Sequence, residues 1–184
     1  MMRVAIVNIG QIVSGDWRKP FVEGDAIVCE DGRILTAGSA TKADIDACEV
    51  VVDAAGTTAI PGLIDSHVHI TFGDYTPRQQ TVGYLESYLH GGTTTSISAS
   101  EVHVPGRPRD PAGVKALAVA AHKCFEGYRP GGMRVHAGSI LLEPGLTAED
   151  MREVAAQGVW LAKAGFGAFK TAFEYAPHVA AAKA

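Results

Sequence analysis

His67 and His69 are separated by one residue in the segment Pro61-Gly62-Leu63-Ile64-Asp65-Ser66-His67-Val68-His69. In an extended strand, residues i and i+2 point to the same face, so the two imidazoles project together. Two imidazoles at the end of one strand can bind a single divalent metal ion. A bare His-x-His is more often a pair of ordinary surface or core histidines. This pair differs in its context, because it closes the first strand of a repeated strand–helix pattern. Asp74 and Arg78 fall in the loop after that strand, and His103, Arg107 and Arg109 in the loop after the next. Arginine grips a carboxylate in bidentate fashion, although loop arginines are mostly solvated. Arg78, His103 and Arg107 are therefore the candidate substrate contacts. His136 reads as a hydrogen-bonded core histidine, His90 as the cation of a last helical turn, and His122 and His178 as helix-surface residues. Trp17 and Trp160 read as packing residues.

The elements that must carry these groups change rhythm near residue 57. Residues 1–57 hold short β-branched runs, Val4–Ile9, Ala26–Glu30, Ile34–Ala37 and Val50–Asp53. Asp31-Gly32 between two of them signals a tight hairpin, whose central residues need positive φ. One short helix is conceivable over Lys42–Cys48. From Thr58 the pattern becomes strand, loop and helix in repetition. Ala59–Ile70 is the first strand. Its helix is opened by Thr76-Pro77-Arg78-Gln79, a capping box with proline at the first position, and closed by Gly91 in a left-handed cap. Thr93–Ala99 is the second strand, and Asp110-Pro111 starts a helix with Val114, Leu117, Ala118 and Ala121 on one face. Met133–Leu142 is the third strand. Thr147 and Asp150 cap the next helix, which runs through Gln157 and stops at Gly158. Val159–Ala164 is the fourth strand, and Tyr175–Ala184 begins a fourth helix.

Four consecutive βα units demand a parallel sheet with right-handed crossovers. An open doubly wound sheet carries a glycine-rich phosphate loop after its first strand, and His67-Val68-His69 stands there instead. A (β/α)8 barrel needs eight units and roughly 250 residues. The fold class is therefore α/β: the first half of a (β/α)8 TIM-type barrel over residues 58–184, preceded by a small β-sandwich-like module over residues 1–57. Half a barrel leaves a strand edge and an apolar interior uncovered, and the chain ends mid-helix on Val-Ala-Ala-Ala-Lys-Ala. Both features imply the front part of a longer protein, with self-association or low solubility when the part stands alone.

Composition narrows the function classes. With 47% hydrophobic and 20% charged residues, the 184-residue chain is too apolar and too weakly charged for disorder. A net charge of −4 offers no footprint for a nucleic acid. No apolar run approaches the roughly 18 residues that span a bilayer, so no membrane partner is expected. The start, one basic residue and an apolar stretch broken by Asn8, Gly10 and Gln11, reads as a strand and not a signal peptide. Cys29, Cys48 and Cys124 form no CxxC pair and read as buried thiols in a reducing, cytoplasmic compartment.

Pro61-Gly62, Asp65, His67 and His69 after a small β module resemble the amidohydrolase superfamily of metal-dependent barrel hydrolases. Gly73–Gln79, His90–Thr95 and Pro105–Asp110 with residues 112–118 resemble its branch that opens cyclic enamides. The likeness runs from Val7 to about Pro177. It implies a binuclear divalent-metal centre, zinc and/or iron, in the full-length protein. His67 and His69 would bind the first metal, and a carboxylate at the end of the fourth strand would bridge both. Two histidines and a proton-shuttling aspartate would come from later strands. The superfamily uses a glutamate or a carboxylated lysine as the bridge. The enamide branch resembles the glutamate type, whereas this sequence has Ala162-Lys163-Ala164-Gly165 at the matching place. Lys163, as a carbamate formed with CO2, is the candidate bridge. An ammonium within an apolar strand is costly, which favours the neutral amine that carbamate formation needs. A plain structural lysine, or Lys170 as the bridge, are the other readings.

The implied reaction is hydrolysis of a cyclic amide or enamide C–N bond by metal-activated hydroxide. A dihydroorotase- or hydantoinase-like ring hydrolase is the alternative. The resemblance implies a small-molecule cyclic amide substrate, which in the enamide branch bears a carboxylate for an arginine to grip, and a homo-oligomer when the protein is full length. After Lys163 the only histidine is His178, so a further reading is a chain with no activity of its own.

Overall fold

The computed structural model describes residues 2–70, 81–102, 104, 106–165 and 168–184, with the backbone alone for Thr81 and Val82. The chain divides into two compact units, Met1–Pro61 and Gly62–Ala184.

The first unit contains β1 (Arg3–Val7), β2 (Gln11–Val13), β3 (Phe21–Val22), β4 (Ala26–Glu30), β5 (Arg33–Gly38), α1 (Lys42–Asp46), β6 (Val50–Asp53) and β7 (Thr58–Ala59). Its larger sheet runs β5-β4-β1-β6, antiparallel except for the β1–β6 pair. Asp31 (φ 47) and Gly32 (φ 78) make the β4–β5 hairpin, the primed turn whose twist matches its strands. The smaller sheet, β3-β2-β7, is made of strands of two or three residues. β7 pairs with β2 there, so Thr58 and Ala59 belong to the first unit's sheet and not to the first strand of the second unit. Ala5, Ala26 and Val28 are buried from the larger sheet and Ile12 from the smaller.

The second unit runs β8 (Leu63–Val68), α2 (Thr81–His90), β9 (Thr93–Ser98), α3 (Pro111–Glu126), β10 (Arg134–His136), β11 (Ile140–Leu141), α4 (Ala148–Ala156), β12 (Ala162–Lys163) and α5 (Ala176–Lys183). Among the described residues every pairing is parallel: β8 with β9, β9 with β10, and β11 with β12. The expected third strand, residues 133–142, is broken at Gly138 (φ 90). A Cβ at Gly138 would lie 2.4 Å from the Ala118 carbonyl oxygen, so only glycine lets α3 approach this closely. The break lets one run serve two neighbours, its first half pairing with β9 and its second with β12.

Local signals explain the helices. Asp110 caps α3 by accepting from the Gly113 amide (2.9 Å), with Pro111 in the first turn. Thr147 and Asp150 form a reciprocal capping box on α4. The left-handed residue after α2 is Gly92 (φ 88), not Gly91, and the expected cap at residues 76–79 lies outside the described residues.

Two apolar clusters hold the helices down. Val114 and Ala118 pack with Ile140, Leu142, Met151 and Val154. Further along the same α3 stripe, Ala121 and Phe125 pack with Leu85, Met133 and Val135. Leu63 and Ile64 on β8 remain 51% and 65% exposed. Among the described residues no helix is long and apolar enough to cross a membrane.

Candidate metal centre

β8 does not run straight into the two histidines. Asp65 pairs with Ser96 and Val68 with Ser98, so three steps on β8 match two on β9, a bulge at residues 66–67. The His67 amide leaves the ladder and donates to the Asp65 carboxylate at 2.9 Å. His69 lies just past the end of the strand. The rings nevertheless sit side by side, centroids 5.3 Å apart and planes at 80°.

Lys163 reaches them from β12. Its Nζ lies 3.4 Å from His67 Nε2, and the residue is half-buried rather than enclosed in the strand. His67 is exposed and His69 half-buried. The Nδ1 of His69 lies 3.0 Å from the Ser100 carbonyl oxygen. A carbonyl can only accept, so Nδ1 carries the proton and, in the neutral ring, the lone pair sits on Nε2. Metal-binding histidines are fixed by such a partner. The donor set, two imidazoles and an amine convertible to a carbamate, fits a zinc- or iron-type cation. Among the described residues no three His, Cys, Asp or Glu side chains gather into a metal group, and Lys163 adds a nitrogen donor beside His67.

Behind His69 lies a buried polar layer that sequence reasoning missed. Glu101 is 3% exposed, and burial pushes its carboxyl up to about 7. It accepts from Ser98 Oγ (2.8 Å) and the Gly138 amide (3.5 Å). The Ser139 hydroxyl donates to the Ser98 carbonyl. The alternating serines 96, 98 and 100 at a strand end were the one available signal.

Arg107 meets a carboxylate of its own chain: its Nη1 lies 2.6 Å from Glu143, which is 2% exposed. A buried carboxylate needs such a partner. Arg78, His103 and Asp74 lie outside the described residues. Arg109 and Lys170 are exposed, and no contact joins either to His67 or His69 among those described. His136 packs edge-on against Trp160 (5.3 Å), and burial followed by Arg134 and Arg129 lowers its pKa. Trp160 itself is largely exposed. His122 is half-buried and not on the surface, because its ring lies where a Cβ on Gly158 would go. His178 lies against Phe169 at 4.8 Å. Nor are the three thiols buried: Cys29 and Cys48 are half-buried and Cys124 is exposed.

A model of the amidohydrolase family matches residues 58–183. The chain belongs to the amidohydrolase family. The enamidase of Eubacterium barkeri is 47% identical over 180 residues, covering 97% of this chain and 47% of that enzyme. A crystal structure of enamidase, itself described as a member of the amidohydrolase superfamily, matches with a TM-score of 0.88 at 47% identity, over 98% of this chain and 47% of that one. The imidazolonepropionase of Paenarthrobacter aurescens (strain TC1) is 38% identical over 96 residues, 52% of this chain and 23% of that enzyme. The L-hydantoinase of Arthrobacter aurescens, at 24% identity and a TM-score of 0.60, shares the fold over 99% of this chain and 39% of its own length. This amidohydrolase-family chain thus spans about half the length of the curated enamidase it matches, and less of the others.

Proposed function

We propose that this segment contributes the first metal-binding strand and the bridging strand of a hydrolase acting on a cyclic amide or enamide C–N bond. The observation that carries the reading is the convergence of His67, His69 and Lys163 in a chain 47% identical to an enamidase. The mixed α/β architecture is read as four βα units of a (β/α)8 barrel over residues 58–184, with a β-sandwich-like module over 1–57. His67 and His69 would hold a divalent cation, zinc or iron, and Lys163 would bridge it to a second. When bound, such ions polarise the substrate carbonyl and make water more acidic.

The chain's own residues have definable tasks. Asp65 pins the His67 amide and sets the bulge that aims its ring. Ser100 selects the His69 tautomer that offers Nε2. Lys163 Nζ, as a neutral amine, would attack CO2; the new N–C bond yields a carbamate, and the nitrogen's proton leaves to solvent. The small-molecule substrate, the cytoplasmic location and homo-oligomerisation of the complete protein belong to the same proposal.

Metal analysis after dialysis against zinc tests it. The wild-type chain is expected to retain metal, and His67→Ala and His69→Ala to lose it; retention by both variants would refute the reading. In the presence of 13C-labelled bicarbonate, a carbamate carbon is expected that Lys163→Arg removes. We expect no amidase turnover from the 184-residue chain alone, and hydrolysis abolished by His67→Ala would overturn that expectation. For the complete protein, an enamide lactam is expected to react ahead of hydantoin and dihydroorotate.

A further inference from the structure

Ser100 is an ordinary L-residue held at φ 89, a conformation that side chains other than glycine's resist. In that geometry its carbonyl oxygen lies 3.0 Å from His69 Nδ1. Ser98 and Glu101 flank it, and their side chains join across it: Ser98 Oγ donates to Glu101 Oε1, closing a bridge over Ala99 and Ser100. The bridge is anchored on both sides. The Ala99 amide donates to the Val68 carbonyl at 2.7 Å, which ties the segment to the residue before His69. The Gly138 amide reaches the same Glu101 oxygen from the break between β10 and β11, and Ser139 ties itself to the Ser98 carbonyl.

Nothing in the proposed chemistry uses Glu101, yet burying a carboxylate here is expensive. Its second oxygen, Oε2, and Ser100 Oγ are both buried without a hydrogen-bond partner among the described residues. Both residues line a cavity of about 10 Å3, the room of a single water. A group kept at such cost beside a strained residue has a positional reason to be there.

We infer that Glu101 is a positioning residue for His69: its bridge to Ser98 holds the Ser100 carbonyl where it keeps the His69 proton on Nδ1 and the lone pair on Nε2. The inference rests on the reading of His69 as a metal ligand for its purpose, but not for its test. In this role Glu101 acts on His69 through a backbone carbonyl.

The tautomer of His69 is directly readable in the metal-free chain, from two-bond 15N–1H correlations of the imidazole, assigned by their loss in His69→Gln. At pH 8 the wild type is expected to show the Nδ1–H form. Glu101→Gln keeps an oxygen that accepts from Ser98 and Gly138, and is expected to preserve that form. Glu101→Leu is expected to shift the ring to the Nε2–H form, and to weaken cobalt(II) binding about tenfold or more, as loss of an outer partner does. A Glu101→Leu chain that melts cooperatively and keeps the wild-type tautomer overturns the inference. Should Glu101→Leu fail to fold, Ser98→Ala decides: it removes one hydroxyl and is expected to give mixed tautomers, and an unchanged Nδ1–H signal overturns the inference. If the wild type binds no cobalt while its tautomer still answers to Glu101, the metal reading fails and the positioning role stands.

Discussion

Ile140, Leu142, Met151 and Val154 are buried, and so are Ser96, Ser98, Ser100 and Glu101 in the same unit. The first group is apolar, joins α3 and α4 to β11, and gains by leaving water. The second sits at the end of β9, directly behind His69. Among the described residues it leaves Ser96 Oγ, Ser100 Oγ and Glu101 Oε2 without hydrogen-bond partners. An unsatisfied buried polar group costs about 1–3 kcal/mol, so the second region lowers the stability that the first supplies. The difference separates two tasks: the apolar cluster sets how stable the unit is, and the polar layer sets where one imidazole points.

Changes that respect or violate this division should behave differently, and the largest effect should come where charge is buried. Arg107→Ala strands Glu143 at 2% exposure and is expected to cost about 3–5 kcal/mol in urea unfolding. A loss under 1 kcal/mol would show that the pair is not enclosed. Leu142→Ala, in the apolar cluster, is expected to cost about 2–5 kcal/mol with the His69 tautomer unmoved. A tautomer shift in that variant would dissolve the distinction between the two regions.

Glu101→Gln sharpens the comparison from the other side. The carboxyl of Glu101 is raised by burial from 4.5 to about 7, and Arg107, the other charged residue described at its cavity, is paired with Glu143. A raised folded-state value means its stabilising contribution is full below about 4.5 and lost as pH climbs through 7. Glu101→Gln should therefore melt higher than wild type at pH 8 and nearly level with it at pH 4.5. The gain is a few kcal/mol at most, since each pKa unit is worth about 1.4 kcal/mol. Equal differences at both pH values would contradict it. Smallest is Thr147→Ala, which removes one side of the α4 capping box and is expected to cost about 1 kcal/mol with no change at His69. The exposed Leu63 and Ile64 add a solution-level expectation: light scattering should find the isolated chain self-associated, and a monodisperse monomer would count against an open apolar face.

What could be read from the sequence was what is local. Asp31-Gly32, Asp110-Pro111 and the Thr147–Asp150 box each act within four residues, and each appears where its chemistry demands. The membership of the amidohydrolase family was legible as a resemblance, because Pro61-Gly62, Asp65, His67 and His69 fall within one nine-residue segment. The β3-β2-β7 sheet was not legible, since strands of two or three residues are too short to show a period. The β8 bulge was equally hidden: strict alternation assumes a regular strand, and here an aspartate side chain replaces a ladder partner. Glu101 and the Arg107–Glu143 pair depend on residues 36 or 37 positions apart, a separation that no local pattern encodes.

The central claim is that His67, His69 and Lys163 share one cation. Crystals grown with zinc and bicarbonate, and measured at the zinc absorption edge, test it most directly. The account predicts an anomalous peak about 2.0–2.1 Å from one nitrogen of each ring, with density for a carboxylated Lys163 beside it. A fully occupied zinc elsewhere on the chain, with the two rings turned apart and Lys163 unmodified, would contradict it.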